Sequence, residues 1–313
     1  MKAIRIHKFG GPEVLLYEDA PTPEPAADEV LAKVIATGVN PIDWKIRSGY
    51  AKNRFPINLP LIPGWDFSGE IVKVGSQVSN FKVGDEVYGR PDPTRDGTYA
   101  EYVVVKADQV NHKPKSISHK KAAAVPLAGL TAWQALFDHG HLRAGQKVLI
   151  HGASGGVGSF AVQFAKWKGA YVIGIASADN IDFLYELGVD QAIDYKKQKF
   201  DEETANVDLV IDVIGGETQR RSLNIIKEGG RLITTVAAEF QEQANKKNIH
   251  LENFLAKSTP SDLQQIADLI DSGKIKPVIA EFLPLKEAAK AQEKSEAGHT
   301  RGKIVLTVEN ENA

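Results

Sequence analysis

A single glycine-rich turn does most to constrain the fold of this chain. Residues 151–158 read His-Gly-Ala-Ser-Gly-Gly-Val-Gly; they follow a buried strand pattern at 147–151 and open a helical pattern at 158–168. A glycine turn in this context is typical of the first βαβ unit of a dinucleotide-binding fold. We therefore predict a parallel sheet around it, with the phosphates of a dinucleotide at the helix N-terminus.

Two of these glycines have separate predicted roles. Gly155 lets the backbone approach a pyrophosphate, and Gly158 lets the helix pack closely on the strand. Ala153 stands where the usual pattern has its first glycine. A glycine turn without a ligand is the alternative, but the complete βαβ unit favours the nucleotide. The residues of the turn predicted to bind the cofactor are Ser154, Gly155, Gly156, Val157 and Gly158.

The pattern of the chain changes twice. Residues 1–120 contain short β-branched runs between turns, which predicts a mostly antiparallel body. A helical stretch at 119–138 marks the first change, and strands then alternate with helices up to about residue 258, which predicts a parallel sheet covered on both faces. Residues 259–313 are expected to return to the first body, with a disordered tail after about Glu309. The predicted strands are 2–6, 29–36, 69–74, 86–88 and 99–105 in the first part, and 147–151, 171–176, 192–195, 209–213 and 231–236 in the second.

Composition excludes several classes of function. The 313 residues carry a net charge of −2, which gives no electrostatic reason to expect nucleic acid or an anionic membrane. The absence of cysteine excludes disulfides, thiol chemistry and every cysteine-containing zinc site. No signal peptide pattern and no apolar run of about 20 residues is seen, so we expect a soluble cytoplasmic protein.

The end of the second strand bears on the choice of cofactor. NAD-binding sites usually place a carboxylate there on the ribose 2′-hydroxyl. Here the strand ends Gly174-Ile175-Ala176-Ser177, and Ser177 could donate a hydrogen bond to a 2′-phosphate. Asp179 lies just downstream and would repel that phosphate if it faced it. The sequence favours NADPH and leaves NADH possible.

Several further motifs occur in a fixed order along nearly the whole chain. They are residues 38–43 (GVNPID), 47–49 (RSG), 63–69 (PGWDFSG), 83–87 (VGDEV), 97–102 (GTYAEY), 127–132 (LAGLTA), the glycine turn, and Gly302-Lys303. With these motifs the chain resembles the zinc-independent quinone oxidoreductase branch of the medium-chain dehydrogenase/reductase superfamily.

This resemblance implies an α/β fold in which a GroES-like β-rich catalytic domain carries an inserted Rossmann domain with a doubly wound parallel sheet. The domains would be residues 1–120 plus 259–313, and residues 121–258. The implied activity is NADPH-dependent transfer of hydride to a small-molecule quinone or α,β-unsaturated carbonyl compound. The resemblance also implies a homodimer that joins the edge strands of two Rossmann sheets, for which the candidate is residues 248–252.

The residues that bind catalytic zinc in related enzymes are replaced here. Asn40 stands where a ligand cysteine would be, and Trp65-Asp66 stands where a His-Glu pair would be. The lobe that holds structural zinc is also missing, because residues 88–99 form only a short connection. We therefore predict no metal. Without a Lewis acid, the easier reaction is reduction of a conjugated electrophile, whose own π-system spreads the charge.

The resemblance assigns candidate catalytic roles to four residues. Asn40 would hydrogen-bond the substrate oxygen or the ribose, or be a turn residue before Pro41. Asp43 would lie beside the nicotinamide, or orient its own loop through backbone N–H groups. Tyr50 would donate a proton, or be an ordinary half-buried tyrosine. Trp65 would form a flat apolar wall for the substrate, or fill the volume that the metal occupies in relatives.

Four further positions are expected near the cofactor. Thr131 matches a threonine near the nicotinamide ribose or diphosphate, and Tyr195 matches a tyrosine near the adenosine and its 2′-phosphate. Ile214 and Val236 follow the fourth and fifth strands, at the sheet edge where such folds bind ligands. Two other functions stay open: an enoyl-thioester or alkenal reductase on the same scaffold, and a non-catalytic redox sensor that binds NADPH.

Overall fold

The computed structural model describes residues 1–52 and 55–308, so the predicted disordered tail lies outside the described residues. The chain divides into two compact units. The first contains Met1–Leu127, Ser258–Gly273 and the chain from Pro277 onward, and the second contains Ala128–Lys257 and Lys274–Lys276. The predicted limits of the two domains stay a prediction.

Strands supply the framework of both units. Within the described residues they are β1 (Lys2–Arg5), β2 (Leu16–Asp19), β3 (Glu29–Gly38), β4 (Phe67–Val74), β5 (Glu86–Gly89), β6 (Tyr102–Lys106), β7 (Val110–His112), β8 (Lys147–Ile150), β9 (Tyr171–Ala176), β10 (Gln191–Asp194), β11 (Val207–Asp212), β12 (Ile226–Thr234), β13 (His250–Asn253), β14 (Ile279–Pro284) and β15 (Lys303–Thr307).

The α-helices are α1 (Pro41–Arg47), α2 (His119–Ala122), α3 (Pro126–Gln134), α4 (Gly156–Trp167), α5 (Ile181–Glu186), α6 (Phe200–Glu203), α7 (Gly216–Ser222), α8 (Gln241–Lys246), α9 (Pro260–Asp271) and α10 (Ala288–Glu296). No helix in the described part of the chain is long and apolar enough to cross a membrane.

The first unit is built on a mostly antiparallel sheet. Its strand order is β14-β15-β3-β4-β5-β7. β6 lies off this path and pairs with the part of β3 that β15 does not reach. The C-terminal strand β15 lies antiparallel to β3 and parallel to β14, so both ends of the chain build this sheet. Apolar side chains from the central strands pack as one core that includes Val30, Phe67, Ile71, Val87 and Val103.

The second unit contains a six-stranded parallel sheet. Its order is β10-β9-β8-β11-β12-β13, which is the 3-2-1-4-5-6 order of a dinucleotide-binding Rossmann fold. The central strands β8, β9 and β11 are mostly apolar and buried, as expected where helices cover both faces of a parallel sheet. The predicted fold class, a GroES-like β-rich body with an inserted doubly wound Rossmann sheet, is confirmed.

Several predicted elements have other bounds in the structure; the strand predicted at 231–236, for example, is β12 at Ile226–Thr234. The strand predicted at residues 99–105 begins only at Tyr102, because the backbone of Tyr99 bonds with two other segments: its N–H donates to Pro63 O (2.9 Å) and its carbonyl accepts from Ile4 N (2.8 Å). The helix predicted at 119–138 is interrupted, since α2 ends at Ala122 and Pro126 begins α3. Proline lacks the N–H that a helix interior needs, so it occurs at helix starts.

Candidate active site

The glycine turn joins the first strand of the parallel sheet to its helix. β8 ends at Ile150 and α4 begins at Gly156. The N–H of Ala153 donates to Ile175 O on β9 (3.0 Å), and the N–H of Gly155 donates to Gly152 O (3.0 Å). The turn is therefore fixed to the sheet, and the N–H groups of the first turn of α4, which have no carbonyl before them in the helix, are free to hold an anion.

The surroundings of the two key glycines differ. A Cβ placed on Gly158 would lie 2.2 Å from Gly152 O and 2.6 Å from Ala153 Cα, so only glycine allows the helix to approach the strand this closely. A Cβ placed on Gly155 would meet only Gly152 O, at 3.3 Å, and would otherwise enter open space. The two glycines therefore suit the roles predicted for them, close packing at Gly158 and open access for phosphate at Gly155.

The loops after β11 and β12 lie next to the glycine turn. A Cβ on Gly152 would come within 2.9 Å of Val213 Cγ2 and 3.7 Å of Ile214 Cδ1, and one on Gly215 would come within 2.7 Å of Val236 Cγ2. The structure thus brings the predicted residues Ile214 and Val236 together at the carboxyl end of the parallel sheet. The side chain of Ile214 is 57% exposed, unlike the apolar residues of the strand before it.

Asp212 organises these two loops, and sequence reasoning missed it. Its buried carboxylate accepts the N–H groups of Ile214 and Gly215 (both 2.9 Å) on one oxygen. The other oxygen accepts the Gln219 side-chain amide (3.0 Å) and the Thr234 hydroxyl (3.1 Å). The available signal was an acidic residue at the end of an otherwise apolar strand.

The predicted adenosine side lies on the neighbouring strands. Ser177 is half-buried directly after β9, and its hydroxyl oxygen accepts a hydrogen bond from the Asn180 amide (3.1 Å). Tyr195 follows β10 and is 53% exposed, and its N–H donates to Ala176 O (3.1 Å). Asp179 is exposed beside them, and Thr131 is buried within α3, where its predicted role stays a prediction.

In the first unit, Asn40 and Asp43 frame the start of α1. The buried carboxylate of Asp43 accepts the Asn40 N–H (2.8 Å) and the Tyr99 hydroxyl (2.9 Å) through one oxygen. Its other oxygen, Oδ1, is buried without a hydrogen-bond partner among the described residues. Burial raises the pKa of Asp43 to about 7, although the Asn40 N–H, the Tyr99 hydroxyl and the Lys303 charge oppose the rise. This geometry suits the loop-orienting role.

A buried ion-pair cluster lies beside Asn40 and consists of Asn40, Asp66 and Lys303. The Lys303 ammonium is 3.2 Å from Asp66 Oδ2, donates to Val39 O at 2.9 Å, and also bonds to Asn40 Oδ1. The Asn40 amide donates to Asp66 Oδ2 at 2.9 Å, and the Leu127 N–H donates to Asp66 Oδ1 at 2.6 Å. Both ends of the Asn40 amide are therefore engaged within the protein.

Trp65 and Tyr50 occupy opposite environments. Trp65 is buried, and its ring meets Phe55 edge-on at 5.2 Å, in a cluster that also contains Ile46 and Leu61. Tyr50 follows α1 and is 80% exposed, so its alternative interpretation as a half-buried tyrosine is wrong. Their roles as substrate wall and proton donor stay predictions.

Comparison with known proteins identifies the family. Residues 26–115 match the alcohol dehydrogenase GroES-like domain, and residues 187–306 match a family described as zinc-binding dehydrogenase. The chain is 36% identical to the quinone oxidoreductase of Mus musculus, over 98% of this chain and 97% of that protein. It is 34% identical to the mitochondrial NAD(P)H oxidoreductase RTN4IP1 of Danio rerio, over 98% and 91%. The chain belongs to the quinone oxidoreductase branch of the medium-chain dehydrogenase/reductase superfamily.

Solved structures agree with this assignment. The quinone oxidoreductase from Coxiella burnetii has a TM-score of 0.93 and 39% identity, with 99% of each chain covered. The Escherichia coli quinone oxidoreductase complexed with NADPH has a TM-score of 0.90 and 31% identity, with 98% of this chain and 100% of that chain covered. This chain is therefore an oxidoreductase of the quinone oxidoreductase type, with a nicotinamide cofactor and a small-molecule substrate.

The zinc positions of the superfamily hold a different set of groups in this oxidoreductase. Among residues 1–52 and 55–308, no three His, Asp or Glu side chains come together in a group that could hold a metal ion. Sequence reasoning missed that the Lys303 ammonium contacts Asn40 and Asp66, two of the residues that stand where zinc ligands are expected. The signal was a lysine that opens the wholly buried strand β15.

Proposed function

We propose that the chain is an NADPH-dependent reductase that transfers hydride to quinones or α,β-unsaturated carbonyl compounds without zinc. The observation that carries this proposal is the glycine turn, in which Gly155 faces open space directly before the N-terminus of α4. An oxygen-rich diphosphate fits there, because the N–H groups of the first helical turn would bind it and the helix dipole favours its negative charge.

Ser154, Gly155, Gly156, Val157 and Gly158 would hold the diphosphate, and Ile214 and Val236 would pack against the nucleotide. Asp212 would keep the loops of Ile214 and Val236 in place through four hydrogen bonds. When bound, the reduced nicotinamide supplies the hydride. The apolar lining contributed by Ile214 would exclude water from the reacting atoms.

Ser177 and Tyr195 support NADPH as the cofactor. No carboxylate ends β9, and the Ser177 hydroxyl and the exposed Tyr195 side chain lie at the ends of two adjacent strands. A 2′-phosphate could take hydrogen bonds from both hydroxyls, whereas the end of β9 lacks the carboxylate that binds the ribose 2′-hydroxyl in NAD-specific sites. NADH stays possible, because the exposed Asp179 carboxylate lies two residues after Ser177.

The buried ion-pair cluster supports a reaction without zinc. A zinc ion at Asn40 and Asp66 would have to share the Asp66 carboxylate with the Lys303 ammonium, which is 3.2 Å from Oδ2. A zinc ion and an ammonium group that share one carboxylate are like charges held close together, and they repel strongly in a buried site. The chain also has no cysteine to act as a ligand. These residues do not fit a zinc ion, and the cluster instead holds the start of α1 in one conformation.

Assembly and location are part of the proposal. β13 ends the parallel sheet and pairs only with β12 among the described residues, so a second copy could pair with its free edge to form a homodimer. The predicted edge segment, residues 248–252, overlaps this strand. A cytoplasmic location stays a prediction.

The test is oxidation of NADPH and NADH by a panel of quinones, short enones and enoyl thioesters, after dialysis against a metal chelator. We expect turnover with quinones or enones, faster with NADPH. A Gly155→Val variant is the matched control. Because φ at Gly155 is −78°, the backbone allows a side chain, but the valine side chain would occupy the position proposed for the phosphate. Turnover only with enoyl thioesters, only after zinc is added, or with no electrophile would each contradict the proposal.

A further inference from the structure

Arg90 is a buried arginine in the first unit whose backbone is fixed from two sides. It follows β5 directly and is only 4% exposed. The Arg90 N–H donates to Gln109 O (3.3 Å), and its carbonyl accepts a hydrogen bond from the Ser258 hydroxyl (2.9 Å). The guanidinium therefore projects from a backbone position that has little freedom to move.

The guanidinium lies over an aromatic ring. Its central carbon is 4.9 Å from the centroid of the Trp65 ring, which is within the range of a cation–π interaction. Trp65 is itself held by Phe55, which packs edge-on against it. The ring thus holds the guanidinium group of Arg90 in place by direct contact.

No acceptor within the described residues takes a hydrogen bond from this side chain. Its Nε is fully buried and unpartnered. The two carboxylates whose charges act on Arg90 are those of Asp66 and Asp92. Asp66 accepts from the Leu127 N–H, the Asn40 amide and Lys303. Asp92 accepts the N–H and the hydroxyl of Thr94 on Oδ1 (2.9 and 2.7 Å), and neither carboxylate accepts a hydrogen bond from Arg90 among the described residues.

This arrangement is costly unless an acceptor joins it. A guanidinium has five N–H donors in a fixed fork, and it stays protonated in proteins. Burial lowers the pKa of Arg90, and the charges of Asp66 and Asp92 oppose that effect. Buried donors without acceptors destabilise a protein by about 1–3 kcal/mol each, more when charged. A ligand oxygen beside Trp65 would give the guanidinium the acceptor that the described residues do not supply.

We propose that Arg90 is a catalytic residue that donates hydrogen bonds to the carbonyl oxygen of the substrate. This inference rests on the proposed function. Hydride adds to a carbon conjugated with the carbonyl, the π-electrons shift to the carbonyl oxygen, and that oxygen becomes negative. The substrate gains two electrons, which the nicotinamide loses. The oxygen then takes a proton from water, and Arg90 keeps its own.

The charge of Arg90 matters most at the moment when the oxygen becomes negative. A preorganised donor aimed at developing charge stabilises the transition state more than the ground state, and losing one costs about 100- to 1,000-fold in kcat. The cation would in this way supply the electrostatic stabilisation that zinc supplies in metal-dependent relatives, from a different position.

The test compares Arg90→Gln and Arg90→Lys with the wild type, using 1,4-benzoquinone and a short enone. We expect kcat/KM to fall about 100-fold or more for Arg90→Gln, mainly through kcat, while the Kd for NADPH changes less than about twofold. Arg90→Lys keeps the charge on a shorter, non-planar group, so we expect an intermediate loss of about tenfold. Arg95→Gln is the control: it removes a positive charge from the same loop, where Arg95 pairs with Glu29, and should change kcat/KM less than about twofold.

Thermal unfolding of each variant separates a catalytic role from a packing role. If the activity loss only followed a lower Tm, or if Arg90→Gln kept kcat/KM within about threefold of wild type, the inference would be wrong. Should Arg90→Gln fail to fold, Arg90→Lys decides, and wild-type kcat/KM in that variant would refute the role. A wild-type protein without turnover on any electrophile would refute the proposed function itself.

Discussion

Asp43, Asp66, Arg90 and Lys303 are charged residues that the first unit buries almost completely. Burial of a charge is costly without a partner, so each of these side chains either has specific partners or is kept for a ligand. Asp66 and Lys303 satisfy each other together with Asn40, whereas Asp43 keeps one oxygen and Arg90 its Nε without a partner. The unsatisfied groups are the ones to which we assign chemistry or titration.

For individual residues, the sequence predicts contacts between neighbours in the chain and misses contacts between residues that are distant in sequence. Asn40 and Asp43 are three residues apart, and the Asp43 carboxylate accepts the Asn40 N–H. A hydrogen bond at this spacing is local, so the motif indicates it. Lys303 and Asp66 are 237 residues apart, and no spacing rule connects them. Arg90 was missed for the same reason, because its environment comes from strands, loops and a tryptophan distant in sequence.

Asp43 predicts a pH dependence of stability. Its pKa is about 7 in the folded protein against 3.8 for an ordinary aspartate, so between these values the folded state keeps a proton that the unfolded state has released. The stability that this proton contributes is fully present below about pH 4 and is lost as pH rises through 7. The asparagine of Asp43→Asn cannot titrate. As pH rises between the two pKa values, the free energy of unfolding of this variant should therefore increase relative to that of wild type, by up to about 1.4 kcal/mol per pH unit.

Chemical denaturation of both proteins from pH 4 to 8 measures this difference. Asp92→Asn is the control: burial raises the pKa of Asp92, but hydrogen bonds from Thr94 outweigh burial and hold that pKa below its usual value, so its difference from wild type should stay flat above about pH 5. A difference for Asp43→Asn that is equally flat would show that Asp43 ionises normally in the folded protein.

Among secondary structure elements, those of the parallel sheet were the most predictable. β9 has the predicted bounds, because a buried strand between helices is a continuous apolar run with clear ends. β2 and β7 were not predicted, since they have four and three residues and no alternating pattern of useful length. β6 starts late because Tyr99 bonds to Pro63 and Ile4, a tertiary choice that the local sequence does not carry.

The glycine turn yields a prediction that separates its two roles. Gly158→Ala would push a Cβ to within 2.2 Å of Gly152 O, and overpacking of this kind costs about 1–3 kcal/mol, so its Tm should fall. Gly155→Ala meets only one atom, at 3.3 Å, in a backbone conformation that alanine adopts, so its Tm should stay near wild type.

Nucleotide binding by Gly155→Ala should nevertheless weaken by about tenfold or more, because its methyl group occupies the space predicted for the diphosphate. Calorimetric unfolding and NADPH titration of both variants provide the two readouts. Unchanged NADPH affinity in Gly155→Ala would mean that the phosphates lie elsewhere.

The order of elements along the whole molecule was predictable from changes in pattern. The β-rich start, the alternating middle and the short return appear in the structure as a first sheet built from both ends of the chain and a second, parallel sheet from the middle. This order could be predicted because apolar residues recur with different periods in strand–helix alternation and in antiparallel strands. Which surfaces meet a second copy is not a periodic property, so the sequence alone supplied only a candidate edge.

The free edge of β13 predicts the state of association. An unpaired edge strand is a site of pairing with other chains, and a symmetric pair would extend the six-stranded sheet across two copies. Sedimentation equilibrium should therefore give a mass twice that of the 34.1 kDa chain. A single species at the mass of one chain over micromolar to hundred-micromolar concentrations would contradict the homodimer.

Calorimetric titration of the 313-residue chain with NADPH, and separately with NADH, tests most directly whether the turn at residues 152–158 holds a dinucleotide. We predict one NADPH bound per chain, with tighter binding than NADH and no requirement for added metal. Failure of both nucleotides to bind at millimolar concentration would contradict the account.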